Sequence, residues 1–124
     1  GHGSYLAEDP AKSDQYATVD QAGTAVPKDL YDGDHPGNVF YIFVCRTLLG
    51  WFVQTKDGER SLGSSAQSIW ATSGKRELSL IPGTETTFHS LQVEVGDRVL
   101  RHREYILTHS ERIYPEYLLA YSRL

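Results

Sequence analysis

The sequence predicts a mostly antiparallel β domain with one short helix, α+β or all-β in class. Three observations carry this. β-Branched and aromatic residues gather into short runs, at 38–49, 88–95, 100–108 and 114–121. Polar stretches rich in glycine, proline and serine separate those runs. One segment alone, Asp9-Pro10, carries a strong helix-start signal. A chain of 124 residues is one domain at most, long enough for a single modest core with much of its surface wet.

The elements follow in order. Tyr5 lies on a strand end that turns straight into a helix, because an Asp9 side chain can cap free amides and Pro10 suits the first helical position. That helix runs from Ala11 to about Tyr16 and dissolves toward Gly23. Residues 19–37 are polar and hold Gly23, Pro27, Gly33, Pro36 and Gly37, a long surface loop. Residues 38–49 lack polar alternation until Arg46, which predicts a strand buried on both faces, the central strand of the sheet. Gly50-Trp51 turns the chain, and residues 52–55 continue as a bent strand. Residues 56–68 form a polar loop, 69–71 a short strand, and 72–87 a loop again. Strands follow at 88–95, 100–108 and 114–121. Gly96-Asp97 marks a hairpin between the first two, and Ser110-Glu111-Arg112 links the last two.

Composition excludes several function classes. A formal charge of −4 and a pI near 5.7 give no electrostatic footprint for nucleic acid, which needs a clustered basic face. The basic residues are scattered, with one local group at Arg98, Arg101, His102 and Arg103, whose three arginines read as a solvated face. The longest apolar stretch, 39–44, is far too short to span a bilayer, and no signal- or transit-peptide pattern is visible. The one cysteine, Cys45, sits beside Phe43, Val44 and Leu48 and reads as a buried small hydrophobe in a reducing compartment. The chain has no methionine and opens inside an element, so a fragment or trimmed domain is expected.

Candidate chemistry lies at two places. Ser13 and Tyr16, three residues apart, share one helical face. A tyrosine ring there offers a stacking platform for a planar heterocycle, and the serine hydroxyl can donate to a carbonyl in its plane. Tyr5 makes a second wall. The arrangement suits a flat, amide-bearing ring such as nicotinamide, although spacing alone favours tyrosines that pack with their hydroxyls in water. At the second place, a period of two puts Glu104, Ile106 and Thr108 on one strand face and Arg103, Tyr105 and Leu107 on the other. A carboxylate among apolar neighbours is costly to bury unless paired or functional. It either serves ribose hydroxyls and a developing positive charge or pairs with a local arginine; spacing does not decide. His35, His89, His102 and His109 show no ligand spacing for zinc. No phosphate-binding glycine loop is present, and Ser64, Ser65 and Ser90 lack a nucleophile elbow.

Taken together, two terminal segments carry a family resemblance. Gly1-x-Gly3-x-Tyr5-Leu6-Ala7-Glu8 followed by Lys12-Ser13-x-x-Tyr16 resembles the catalytic domain of the poly(ADP-ribose) polymerase family. So does Arg103-Glu104-Tyr105-Ile106-Leu107 ahead of Ile113-Tyr114-Pro115-Glu116-Tyr117-Leu118-Leu119-Ala120-Tyr121. Phe40-Tyr41-Ile42-Phe43-Val44-Cys45-Arg46, ending at Gly50, looks like that family's core strand between them. The resemblance covers nearly the whole chain but only the C-terminal part of the family's domain.

The resemblance implies an α+β ADP-ribosyltransferase fold and an enzyme that transfers ADP-ribose from NAD to protein acceptors, releasing nicotinamide, with extension to poly(ADP-ribose) open. It implies NAD as substrate, no metal, and a nuclear or cytoplasmic location. Tyr5 would stack on the nicotinamide, Ser13 would bond its carboxamide, Tyr16 would stack from the other side, and Lys12 would line the pocket. Glu104 would be the catalytic glutamate that bonds the ribose hydroxyl and stabilises the oxocarbenium-like state. Glu116 matches a terminal structural strand instead, and His2-Gly3 is not the family's His-Gly pair, which belongs to an earlier strand. That histidine, the glycine beside it and the loop over the dinucleotide belong to N-terminal strands missing from this sequence. The alternative is a non-catalytic module that binds protein or ADP-ribose. A truncated sheet would also expose an edge and apolar patches, so self-association is expected; direct nucleic-acid or membrane binding is not.

Overall fold

A computed structural model describes residues 2–30 and 33–124. Gly1 of the opening motif, and Tyr31 and Asp32 of the expected 19–37 loop, lie outside the described residues. The chain forms a small mixed α+β domain, mostly strands with one short helix. In order come β1 (Ser4–Ala7), α1 (Pro10–Asp14), β2 (Phe40–Thr47), β3 (Phe52–Thr55), β4 (Ser90–Val93), β5 (Glu104–Leu107) and β6 (Ile113–Tyr121). Short 3-10 turns occupy Lys28–Leu30 and Ser110–Arg112.

Two sheets result. One has four strands in the order β1-β5-β4-β3, and the other pairs β2 with β6. All pairings are antiparallel except β3 with β4, which is parallel. The strand buried throughout is β4, between β5 and β3. Its polar residues mask that burial in the sequence, yet they are satisfied inside: the Ser90 hydroxyl donates to the Leu49 carbonyl at 2.7 Å, and the Gln92 amide donates to Glu94. This corrects the expectation that residues 38–49 form the central, doubly buried strand. β2 is covered at its Phe40 end, where Phe40 stacks on Tyr121 with centroids 5.7 Å apart. Further along, Phe43 is 64% exposed and Val44 47%. An unbroken apolar run predicts burial on both faces only where layers lie on both sides, and this ribbon has no such layers among the described residues. Cys45 is accordingly half-buried, beside a register shift between Val44 and Cys45.

The core clusters Val53, Ile69, Leu78, Leu91, Val93, Val99 and Ile106, with Trp70 and Phe88 packed against it. Several of these come from irregular chain. Residues 69–71 make only an isolated bridge, Trp70 to Leu78, rather than a strand, and the Trp70 indole N–H donates to the Gly58 carbonyl at 2.8 Å. The loop at 72–87 contributes buried Leu78 and Ile81, which its polarity conceals.

β4 and β5 do pair antiparallel, with Ser90 opposite Leu107 and Val93 opposite Glu104. Both strands are shorter than expected; the chain does turn at Gly96-Asp97, where the Gly96 amide donates to the Val99 carbonyl at 2.8 Å, but the ladder stops at Val93 and resumes only at Glu104. The chain leaves the ladder after Val93 because Val99 folds back into the core and Arg98 N–H reaches the Lys56 carbonyl at 3.3 Å. His102 therefore sits in a connection and His109 just before a 3-10 turn.

Candidate functional site

The site grows from the β1–β5 pair at one edge of the larger sheet. Tyr5 stands opposite Ile106 and Ala7 opposite Glu104. Only Glu8 and Asp9 separate β1 from α1, so the helix must start beside Glu104. Asp9 takes an extended conformation and accepts from the Ala11 amide at 2.9 Å, with Pro10 opening the helix as the sequence predicts. The other Asp9 oxygen meets His102 Nδ1 at 3.0 Å. A helix of five residues is far too short to hold itself in water, so these grips decide where it lies.

The result is a cleft of about 410 Å³ lined by Tyr5, Leu6, Ala7, Lys12, Ser13, Tyr16 and Glu104. All five residues singled out from the sequence thus meet at one place, although Glu104 lies at the opposite end of the chain from the others. A concavity of this size falls within the usual range for small-ligand sites, roughly 300–1,000 Å³.

Lys12 is the centre of the electrostatics. Its ammonium sits 2.8 Å from Glu104 Oε1, and the two side chains are only 20% and 15% exposed. The strand-edge alternative for Glu104 therefore has the wrong partner: a lysine on α1, not a local arginine. The Glu104 hydrogen bond raises the Lys12 pKa above its ordinary value, burial works against it, and Tyr16 adds to the rise. Lys12 also lies 5.4 Å from the Tyr16 ring centroid, within cation–π range. Tyr5 and Tyr16 are 54% and 75% exposed, so both rings offer much of their surface to the cleft and solvent. Ser13 is half-buried on the α1 wall.

The other face of β5 is locked separately. Arg103 Nε donates to Glu94 at 3.1 Å and Nη1 to Glu8 at 3.3 Å. The Tyr105 hydroxyl donates to the second Glu8 oxygen at 3.0 Å. The period-two division of β5 thus appears in space, with Arg103 and Tyr105 converging on Glu8 while Glu104 turns into the cleft. Arg103 is consequently not part of a loose solvated face. Glu116 forms a cross-strand pair with Arg46 at 2.5 Å, and neither it nor His2 lines the cleft.

Sequence reasoning missed the grips on α1. Asp9–His102 joins a helix cap to a connection near the other end of the chain, and Asp14 is held by residues at the end of β6. No local pattern announces pairs so far apart. It also missed a second cavity of about 300 Å³ beside β2, whose wall includes His35 and Tyr41. There His35 Nδ1 accepts from the Gly37 amide at 3.1 Å, which puts its proton on Nε2, 3.1 Å from the Tyr41 hydroxyl. Burial raises the pKa of neighbouring Asp20, but the amides of Ala25, Ala22 and Thr24 outweigh it and hold the carboxylate below its ordinary range.

Among the described residues, no group of three or more His, Cys, Asp or Glu could hold a metal ion, and no helix is long and apolar enough to cross a membrane. Comparison of the chain with protein-family models and with curated proteins gives no match.

Proposed function

We propose that the chain carries the nicotinamide-side part of an ADP-ribosyltransferase catalytic domain of the poly(ADP-ribose) polymerase type. Its reaction would break the bond between nicotinamide and ribose in NAD and pass ADP-ribose to a protein acceptor, with chain extension open. One observation supports this most: Tyr5, Lys12, Ser13, Tyr16 and Glu104, drawn from opposite ends of the sequence, line a single cleft.

In this reading the tyrosine rings hold the flat nicotinamide and Ser13 bonds its carboxamide, so binding fixes the orientation of the bond to be broken. Glu104 acts on the ribose. Lys12 engages its Oε1; the second carboxylate oxygen keeps lone pairs for a ribose hydroxyl. Fixed negative charge there favours the cation-like state as nicotinamide departs. The acceptor nucleophile then attacks the ribose carbon and loses its proton.

A second reading is favoured by a specific feature: no histidine is among the residues lining the cleft, whereas the resemblance assigns the adenosine ribose to one. In that reading the domain binds ADP-ribose or a protein without turnover. Auto-modification of the full-length protein with labelled NAD separates the two. The transferase reading expects label on the wild type and a loss of about 10²–10³-fold in Glu104→Gln, the usual cost of one such stabilising group. An unlabelled wild type, or a fully active glutamine variant, overturns it; retained ADP-ribose binding without transfer supports the second.

A further inference from the structure

The C-terminal end of α1, which carries Ser13 and leads directly to Tyr16, is held by residues the cleft does not contain. The Tyr121 hydroxyl donates to Asp14 Oδ1. Arg123 Nε donates to the same oxygen at 3.0 Å, and its Nη2 donates to the Asp14 main-chain carbonyl at 2.7 Å. That carbonyl also accepts from the Ala17 amide at 3.1 Å. Helix C-termini leave carbonyls without intrahelical partners, and a cation there satisfies them and complements the helix dipole. Arg123 does both with one fork, a geometry lysine cannot reproduce. The fork is itself fixed from the other side, its Cζ 4.0 Å from the Phe40 ring centroid, and Phe40 stacks on Tyr121. The Tyr121 hydroxyl and the Arg123 charge also hold the Asp14 carboxyl below its ordinary range.

A five-residue helix takes its place from such grips rather than from its own hydrogen bonds. Its start is tied to His102 and its middle to Glu104, both in the region of the larger sheet. Its end is tied to the last strand of the smaller sheet. We infer that Tyr121 and Arg123 are positioning residues: they set how α1 presents Ser13 and Tyr16 to the cleft, while Glu104, carried by β5, does not depend on them. This inference rests on reading the cleft as a nicotinamide site. It goes beyond that reading by assigning substrate orientation to the end of β6 and the residues just after it.

The experiment uses Tyr121→Phe and Arg123→Lys in the full-length protein, with amide hydrogen exchange and NAD kinetics measured on the same samples. Tyr121→Phe removes one hydroxyl and keeps the ring on Phe40, so the fold is not at risk. Exchange at Tyr16 and Ala17 should quicken while amides of β4 and β5 stay protected. KM for NAD should rise about three- to tenfold, the scale of one hydrogen bond, and kcat should stay within about twofold. Arg123→Lys should fall in the same direction, because a point charge cannot span both Asp14 acceptors. Unchanged exchange at Tyr16 and Ala17 overturns the grip. Quickened exchange with unchanged KM, or a kcat loss as large as the KM change, overturns the positioning role. A wild type with no NAD turnover and no nicotinamide binding overturns the site reading, and the positioning role with it, whatever the exchange shows.

Discussion

Removing the charge of Lys12 should destabilise the fold more than removing that of Glu104. The two groups are 2.8 Å apart and mostly covered, at 20% and 15% exposure. Exposed ion pairs contribute about 0–1 kcal/mol, whereas losing one partner of a fully buried pair costs about 3–5 kcal/mol. This pair lies nearer the buried limit. Lys12→Met leaves the Glu104 carboxylate fixed on β5 without a counter-charge, for which about 2–3 kcal/mol is a fair scale. Glu104→Gln leaves an amide oxygen that still accepts from Lys12, and the lysine stem can carry its ammonium to water, so about 1 kcal/mol is expected. For a domain of this size those losses correspond to melting-temperature drops of about 6–18 °C and about 3–6 °C. The pH dependence has a definite sign. The folded-state pKa of Lys12 is raised above its ordinary 10.5, chiefly by the Glu104 hydrogen bond. Its contribution is therefore fully present below about pH 10.5 and is lost as pH climbs through the higher folded value. Thermal and denaturant unfolding of wild type, both single variants and the double variant at pH 7, 9 and 11 checks this. A coupling energy below about 0.3 kcal/mol, or a gap between wild type and Lys12→Met that does not narrow toward pH 11, refutes the reasoning.

Tyr16→Ala should weaken nicotinamide binding to the full-length protein about three- to tenfold while Tyr16→Phe changes it little, since the ring face does the work; titration calorimetry reads this, and equal losses would assign the contact to the hydroxyl. Gly50→Ala should destabilise by about 2–4 kcal/mol in denaturant unfolding, because Gly50 holds φ +60° and an added Cβ would lie 2.3 Å from His89 Nδ1, the acceptor for the Trp51 amide at 3.0 Å. Gly33→Ala, at φ +80° with nothing within 4 Å, should show the backbone strain alone, about 1 kcal/mol, and equal losses at both glycines would refute the steric account.

The residues that line the candidate cleft were easier to single out from the sequence than the fold. Asp9-Pro10 located α1 because capping and proline geometry are local effects. The alternation through Arg103, Glu104 and Tyr105 separated the two faces of β5 for the same reason. β4 was located, within residues 88–95, but its complete burial was not, because Ser90 and Gln92 are polar and their partners, Leu49 and Glu94, become visible only in three dimensions. β2 misled in the opposite sense: an apolar run states what a strand would bury, not whether a layer exists to bury it against. The core residues of the irregular stretch, Ile69, Leu78 and Ile81, carry no period because loops impose none.

The Lys12–Glu104 pair constrains how the proposed chemistry could run. A carboxylate with a lysine 2.8 Å from one oxygen presents almost no net charge at a distance, and its pull on a forming cation is weaker than that of a bare carboxylate. The stabilisation must therefore be short-range, through the other oxygen and a ribose hydroxyl in direct contact, unless Lys12 turns away when substrate arrives. The geometry supplies a destination for such a turn. The ammonium already lies 5.4 Å from the Tyr16 ring centroid, and a four-carbon stem can swing it along that face. A nicotinamide stacked on Tyr16 would compete for the same face. Ring binding on α1 and the ion pairing of Glu104 on β5 are thus coupled through one lysine.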